Sequence, residues 1–243
     1  MKRGLVYLSL VLAVSMGVSF PAQALKISPF KATLLPHSPQ MTQVFRLENN
    51  SDATAALQVS ILSWNIAPDG TEINEEVEDD FVVFPAQLVL PPHESRAIRI
   101  QWRGPPDIKS EKSYRVLAEQ IPVRLKDTPE TGSAVKFMVR FKAALYVTPP
   151  GIKSNVTVKE TRFENNRLHI TLTNDGTAHT LLKSPVLTLT GADGKIVTLD
   201  SAALKPMDGE NMHAGATRIF IVPAPADNLT AIRSAHLDFE PAF

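Results

Sequence analysis

Apolar and polar positions alternate along most of this chain, and the alternation predicts strands throughout. The longest run is 134–147, AVKFMVRFKAALYV. Val135, Phe137, Val139 and Phe141 fall on one face, and Lys136, Met138, Arg140 and Lys142 on the other. A period of two with β-branched and aromatic residues is the signature of a strand. At about 3.3 Å per residue it would reach roughly 46 Å, more than one small sandwich needs. Its second half (Ala143, Ala144, Leu145, Tyr146 and Val147) is apolar on both faces. That half reads as rooted in a domain, and the first half as an arm reaching beyond it. The alternative is an ordinary long strand whose odd face packs its own core.

Before this run, strand patterns cover 25–35, 43–47, 55–64, 81–84, 87–90, 95–102 and 114–125. Turn signals separate them: Asn49-Asn50-Ser51, Pro68-Asp69-Gly70, Pro91-Pro92 and Gly104-Pro105-Pro106. Pro29 suits an edge strand, because proline has no N–H for a ladder. About seven short strands with no helical period predict an immunoglobulin-like sandwich, and Tyr114 is placed for a tyrosine corner. Pro149-Pro150-Gly151 then breaks the pattern sharply. Strands resume at 155–162, 167–173, 181–190, 196–199, 217–222 and 231–239. The expected fold is all-β: two immunoglobulin-like sandwiches, 25–149 and 150–243, held in a bent arrangement by a short connection.

The N-terminus departs from this pattern. Lys2 and Arg3 precede a mostly apolar run over 5–18 and an A-x-A site at Ala22-Gln23-Ala24. This predicts a secretory signal peptide over 1–24, too short and wrongly flanked for a membrane span. The mature product is expected to be exported and soluble. It has no cysteine, so its domains must hold by burial alone although disulfides could form after export.

Charge and motifs narrow the function. The formal net charge is zero, so a nucleic-acid partner is not expected. The six histidines show no metal-ligand spacing, and no nucleophile elbow, P-loop or dinucleotide fingerprint occurs. No enzyme, cofactor or metal is therefore expected. Residues 72–80 hold six acidic residues in nine, but without the order of a calcium loop, and read as a solvated loop. Lys31, Arg140 and Lys142 lie on predicted strands, and a convergence of Lys31 with Lys142 would suit an anion such as a carboxylate.

Several segments in order resemble the periplasmic pilus chaperones of the chaperone–usher pathway. Ile27-Ser28-Pro29-Phe30-Lys31-Ala32 resembles the family's first strand with its basic residue. Trp64-Asn65 followed by Asp69-Gly70 is similar to the W-x-x-x-x-D-G pattern of the archaic-type branch. Phe81-Val82-Val83-Phe84-Pro85, Pro91-Pro92, the strand 96–100, Tyr114-Arg115-Val116-Leu117 and Glu119-Gln120-Ile121-Pro122 follow the family's order, and Leu145-Tyr146 with Pro149 resembles the end of its G strand. The departures are a lysine at 31 where arginine is usual, which loses the bidentate fork, and two extra residues between Lys142 and Pro149.

The resemblance implies a chaperone that lends a strand to pilus subunits, which are immunoglobulin-like domains lacking one strand, and delivers them to an outer-membrane usher from the periplasm. Donor-strand complementation of this kind is a known example of β-strand addition. By the resemblance, Val135, Phe137, Val139 and Phe141 fill the subunit groove, and Lys31 with Lys142, or alternatively Arg140, holds the subunit's C-terminal carboxylate. An uncovered apolar edge leaves self-association of the free protein open. The competing reading is a two-domain structural pilus subunit or adhesin. A subunit should carry an N-terminal extension of alternating apolar residues, whereas here the first strand starts within a few residues of Leu25.

Overall fold

The computed structural model describes residues 25–37, 39–122, 138–225, 229 and 231–242, and they contain strands and turns but no helix. In chain order the strands are β1 (Leu25–Ser28), β2 (Lys31–Leu34), β3 (Thr42–Asn49), β4 (Ala55–Ser63), β5 (Asn65–Ile66), β6 (Glu72–Ile73), β7 (Phe81–Phe84), β8 (Gln87–Leu90), β9 (Ser95–Trp102), β10 (Lys112–Gln120) and β11 (Arg140–Val147). After Pro149-Pro150-Gly151 come β12 (Val156–Glu164), β13 (Arg167–Asn174), β14 (Thr180–Gly191), β15 (Ile196–Leu199), β16 (Asn211–Met212), β17 (Thr217–Pro223) and β18 (Ile232–Ala242).

The first group stacks a sheet in the order β1-β3-β9-β7 on a sheet in the order β2-β11-β10-β4-β8. Alternation decides which side chains meet between them. Ile27, Phe45, Leu47, Ile98, Ile100 and Trp102 point in from one sheet, and Leu34, Leu57, Val59, Val116, Leu145 and Val147 from the other. The second group forms its own core from β12-β13-β17 facing β15-β14-β16, with β18 also paired to β14. Both are immunoglobulin-like sandwiches, as expected. Each has a buried asparagine at a strand end. Asn49 donates to the carbonyls of Ala53, Leu90 and Pro91, and Asn174 to those of Ala178, Met212 and His213. Pairing of these carbonyls matters because an unsatisfied buried polar group is costly.

Four details differ from the sequence reading. The single strand expected over 25–35 is two strands in opposite sheets, divided at Pro29-Phe30 and each at a sheet edge. The strand expected over 134–147 is observed as Arg140–Val147, and 134–137 lie outside the described residues, as do residues 1–24. Tyr114 makes no tyrosine corner. It is buried in an edge-on cluster with Phe81 and near Trp102, and its hydroxyl donates to Asp80 Oδ2 at 2.8 Å. Burial, the hydrogen bond and the Asp80 charge all push its pKa up. The acidic segment is not simply solvated either. Its first residue, Glu72, lies in the small β5-β6 ladder and meets two cations, and its last accepts from Tyr114. Two-residue strands such as β5, β6 and β16 are too short to show alternation, which is why sequence reading missed them.

Candidate functional site

Strand β11 sits inside its sheet for only part of its length. On one side it runs antiparallel to β10 over its whole length, from Arg140↔Glu119 to Val147↔Lys112. On the other side the parallel pairing with β2 begins only at Ala144↔Lys31. The backbone bonds reveal which groups this leaves open. Val139 C=O accepts from Gln120 N–H on the β10 side, whereas Ala144 and Thr148 donate N–H to Phe30 and Leu34 on the β2 side. With a period of two, the N–H and C=O of Arg140 and Lys142 face the β2 side, beyond the start of β2. Among the described residues they form an open sheet edge, the arrangement that invites strand addition.

Side chains divide in the same way. Ala143, Leu145 and Val147 belong to the core of the first sandwich, and Phe141 is partly buried against it. Val139 is half-buried, and Met138, Arg140 and Lys142 are exposed. The odd face that packs the domain's own core therefore continues outward along the strand at Phe141 and Val139. The other two expected groove-filling residues, Val135 and Phe137, lie outside the described residues.

The register puts the proposed cations on one face. Ala32 and Leu34 share the core face with Leu145 and Val147, so Lys31 lies on the opposite face with Ala144. Lys142 is on that face too, one side-chain repeat along β11, and Arg140 one repeat further. Lys31 is exposed and makes no side-chain bond or ion pair among the described residues. Lys142 Nζ donates to Glu72 Oε2 at 3.3 Å and also to Asn74 Oδ1. Arg140 Nε instead pairs with Glu119 Oε2 at 2.9 Å. Lys142 thus stands nearer Lys31 along the strand than Arg140 does.

Arg115, which sequence reading used only as a family marker, also lies on this face. It is in register with Ala144, its guanidinium stacks 3.4 Å from the Trp64 ring centroid, and Nη2 donates to Glu72 Oε1. Burial pushes the Glu72 carboxyl up, but hydrogen bonds and charge from Arg115 and Lys142 outweigh it and hold the pKa below the ordinary value. The sequence shows only a basic residue inside a strand pattern; its half-burial, which calls for an acid nearby, is seen in the structure alone.

The root of β11 is locked between the sandwiches. Tyr146 stacks flat on His179, with ring centroids 3.9 Å apart and planes 2° from parallel. Its hydroxyl accepts from Asn211 Nδ2 at 2.8 Å. Glu111 Oε1 accepts the His179 N–H at 3.0 Å and bonds its ring Nδ1, while Oε2 accepts from Thr148 Oγ1 at 2.8 Å. Burial raises the Glu111 carboxyl, but these bonds and the His179 charge hold it below its usual value. His213 packs edge-on against Trp64 at 4.5 Å. Burial first, and then the charge of His179, push its pKa down to about 4. Pro68 C=O, at the tip of the β5-β6 hairpin, accepts from Ile219 N–H at 2.7 Å. Gly70 adopts a positive φ of 96° there, and a Cβ would meet Arg218 at 3.0 Å, so glycine serves both the turn and the close approach.

A strand with an apolar core face and a cationic outer face, unpaired on one side at Arg140 and Lys142 among the described residues, is thus rooted between two immunoglobulin-like sandwiches. Residues 27–153 match the family model described as pili and flagellar-assembly chaperone, PapD N-terminal domain, and the chain belongs to that family. It is 26% identical over 197 residues to the probable fimbrial chaperone EcpB of Escherichia coli O157:H7 (strain EC4115 / EHEC), covering 80% of this chain and 82% of that one. Solved structures share the fold. The Class 5 fimbriae chaperone CfaA aligns with a TM-score of 0.56 at 14% identity, over 90% of this chain and 100% of that one. A chain from work on a chaperone–tip adhesin complex in CFA/I fimbriae biogenesis aligns with a TM-score of 0.59 at 13% identity, over 88% and 94%.

Proposed function

We propose that this protein is a periplasmic chaperone of the chaperone–usher pathway, of the archaic-type branch, which binds pilus subunits by donor-strand complementation and hands them to an outer-membrane usher. The observation that carries the reading is the open edge of β11 at Arg140 and Lys142. The relatives support it: one is a probable fimbrial chaperone and a structural neighbour comes from a chaperone–tip adhesin complex. Trp64, just before β5, followed by Asp69-Gly70 in the β5-β6 turn, supports the branch. The leader 1–24 directs export, and 25–149 and 150–243 are the two domains.

A subunit strand adds along the open edge through backbone hydrogen bonds. Val135, Phe137, Val139 and Phe141 fill the groove left by the subunit's missing strand. Each side chain fully buried there contributes about 1.5–3 kcal/mol before association costs. Lys31 and Lys142 hold the subunit's C-terminal carboxylate by charge-assisted hydrogen bonds and so set the pairing register. A one-residue slip would turn the groove-filling residues away.

The test is subunit recovery. Lys31→Ala and Lys142→Ala proteins are expected to fold normally but to retain no pilus subunit in periplasmic extracts. Retention equal to wild type removes the anchor. Phe137→Asp is expected to reduce capture more than it lowers the melting temperature. If it chiefly unfolds the isolated protein, the odd face belongs to its own core.

A further inference from the structure

The proposed anchor already holds a carboxylate. Lys31 on β2, Ala144 on β11 and Arg115 on β10 occupy one row across the sheet. Strands are spaced ~4.8 Å apart, and side chains on one face of a strand repeat every ~6.6 Å. Lys142 lies one such repeat along β11 from Ala144. Three cations therefore border a position where the side chain ends at Cβ. Two of them grip the same carboxylate: Glu72 Oε1 accepts from Arg115 Nη2, and Glu72 Oε2 from Lys142 Nζ at 3.3 Å.

Resting on the subunit-binding reading above, we propose that Glu72 is an internal stand-in for the incoming terminal carboxylate and that Arg115 is a third cation of the anchor. Capture is then an exchange of one carboxylate for another. The arginine is prepared for this. Its guanidinium is fixed against Trp64, and its buried Nε has no hydrogen-bond partner. It thus retains a donor after serving Glu72, and an arginine can offer a carboxylate two parallel bonds.

Holding Glu72 in the free protein does two things. It offsets repulsion between the half-buried Arg115 and the exposed Lys142. It also excludes small free anions, because Glu72 is tethered to the same chain and competes at a high effective concentration. A carboxylate that arrives on a pairing strand brings its own second attachment, the open edge of β11, and can displace it. The anchor therefore selects an extended chain terminus over acetate, phosphate or a surface carboxylate. Lys31, which has no partner among the described residues, is the cation that Glu72 does not serve and the first that an incoming terminus can meet.

The probe is a dye-labelled peptide of alternating valine and threonine ending in phenylalanine with a free carboxylate, compared with its C-terminal amide by fluorescence anisotropy. Glu72→Gln is expected to bind the acid roughly ten-fold more tightly than wild type, with no gain for the amide. Adding Arg115→Gln to Glu72→Gln is expected to cancel that gain, with the melting curve confirming a folded protein. Equal or weaker binding of the acid by Glu72→Gln, or no binding at all, overturns the role of Glu72. A gain that survives Arg115→Gln overturns the third cation. Acid and amide bound alike by every protein would instead show that the Lys31–Lys142 carboxylate anchor itself is wrong. A second measurement needs no peptide: the acetylation rate of Lys142 against Lys31, read by mass spectrometry. Lys142 is expected to react more slowly in wild type and to approach Lys31 in Glu72→Gln, and an unchanged ratio overturns the proposal.

Discussion

The two halves of β11 make the same backbone bonds to β10 but live in different surroundings. From Ala143 to Val147 each side chain is buried, the odd ones in the core of the first sandwich and Ala144 and Tyr146 against Trp64. From Arg140 to Lys142 the even side chains are exposed, one edge has no partner strand among the described residues, and Phe141 alone of the three packs against the core. The inner half is stabilised by burial and by the polar contacts around Glu111 and His179. The outer half gains little from its own domain. A strand that must hold firm and also lend itself to another chain divides those tasks along its length.

The difference can be broken most forcefully at Leu145, which is fully buried. Leu145→Ala should cost about 2–5 kcal/mol in denaturant unfolding, with a clearly smaller loss for Phe141→Ala. Equal losses would mean that the strand is uniformly rooted. Acid tests the polar half of the root. The unfolded chain binds a proton on His213 below its ordinary value of 6.5, and the folded chain refuses it until about pH 4. Stability should therefore fall as the pH drops through that interval, by about 3 kcal/mol in all. Glu111, held below its usual value, adds a further loss at lower pH as its carboxylate takes up a proton. His213→Phe should flatten the melting temperature against pH above about 4, and an unchanged slope would remove His213 as the cause.

Glu111→Gln weakens the bonds to His179 and Thr148 while keeping the shape. A cost of about 1–3 kcal/mol is expected, and calorimetry should show the two sandwiches melting more independently. A single unchanged transition would show that the root does not depend on this contact. The smallest effect belongs to the outer half. Arg140→Ala removes an exposed pair with Glu119 and should change stability by less than about 1 kcal/mol. A larger loss would make Arg140 part of the fold rather than of the open edge.

Much of this was legible before any coordinates. Alternation located most of the strands, because a side chain on one face of a sheet meets either core or solvent and its polarity must match. The proline and glycine clusters marked the turns because those residues restrict or free the backbone. The division of 134–147 into a half that is apolar on both faces and a half with one basic face anticipated the root at Ala143 to Val147 and the exposure of Arg140 and Lys142. What failed was whatever depended on who lies opposite. Glu72 read as one acid among six in a solvated run, because charge composition carries no information about partners. Tyr114 found Asp80 instead of a backbone carbonyl, and residues 25–35 split between two sheets.

The sequence by itself determined the strand pattern, the alternation of faces and the basic character of one face of β11, all of which depend on neighbours along the chain. Only the tertiary structure decided that β2 stops covering β11 at Ala144, that Lys31, Arg115 and Lys142 share one face, and that Glu72 already bridges two of them. Pairing register joins residues as distant as Lys31 and Ala144, 113 positions apart along the chain, and no local pattern encodes which of many such pairings closes the sheet.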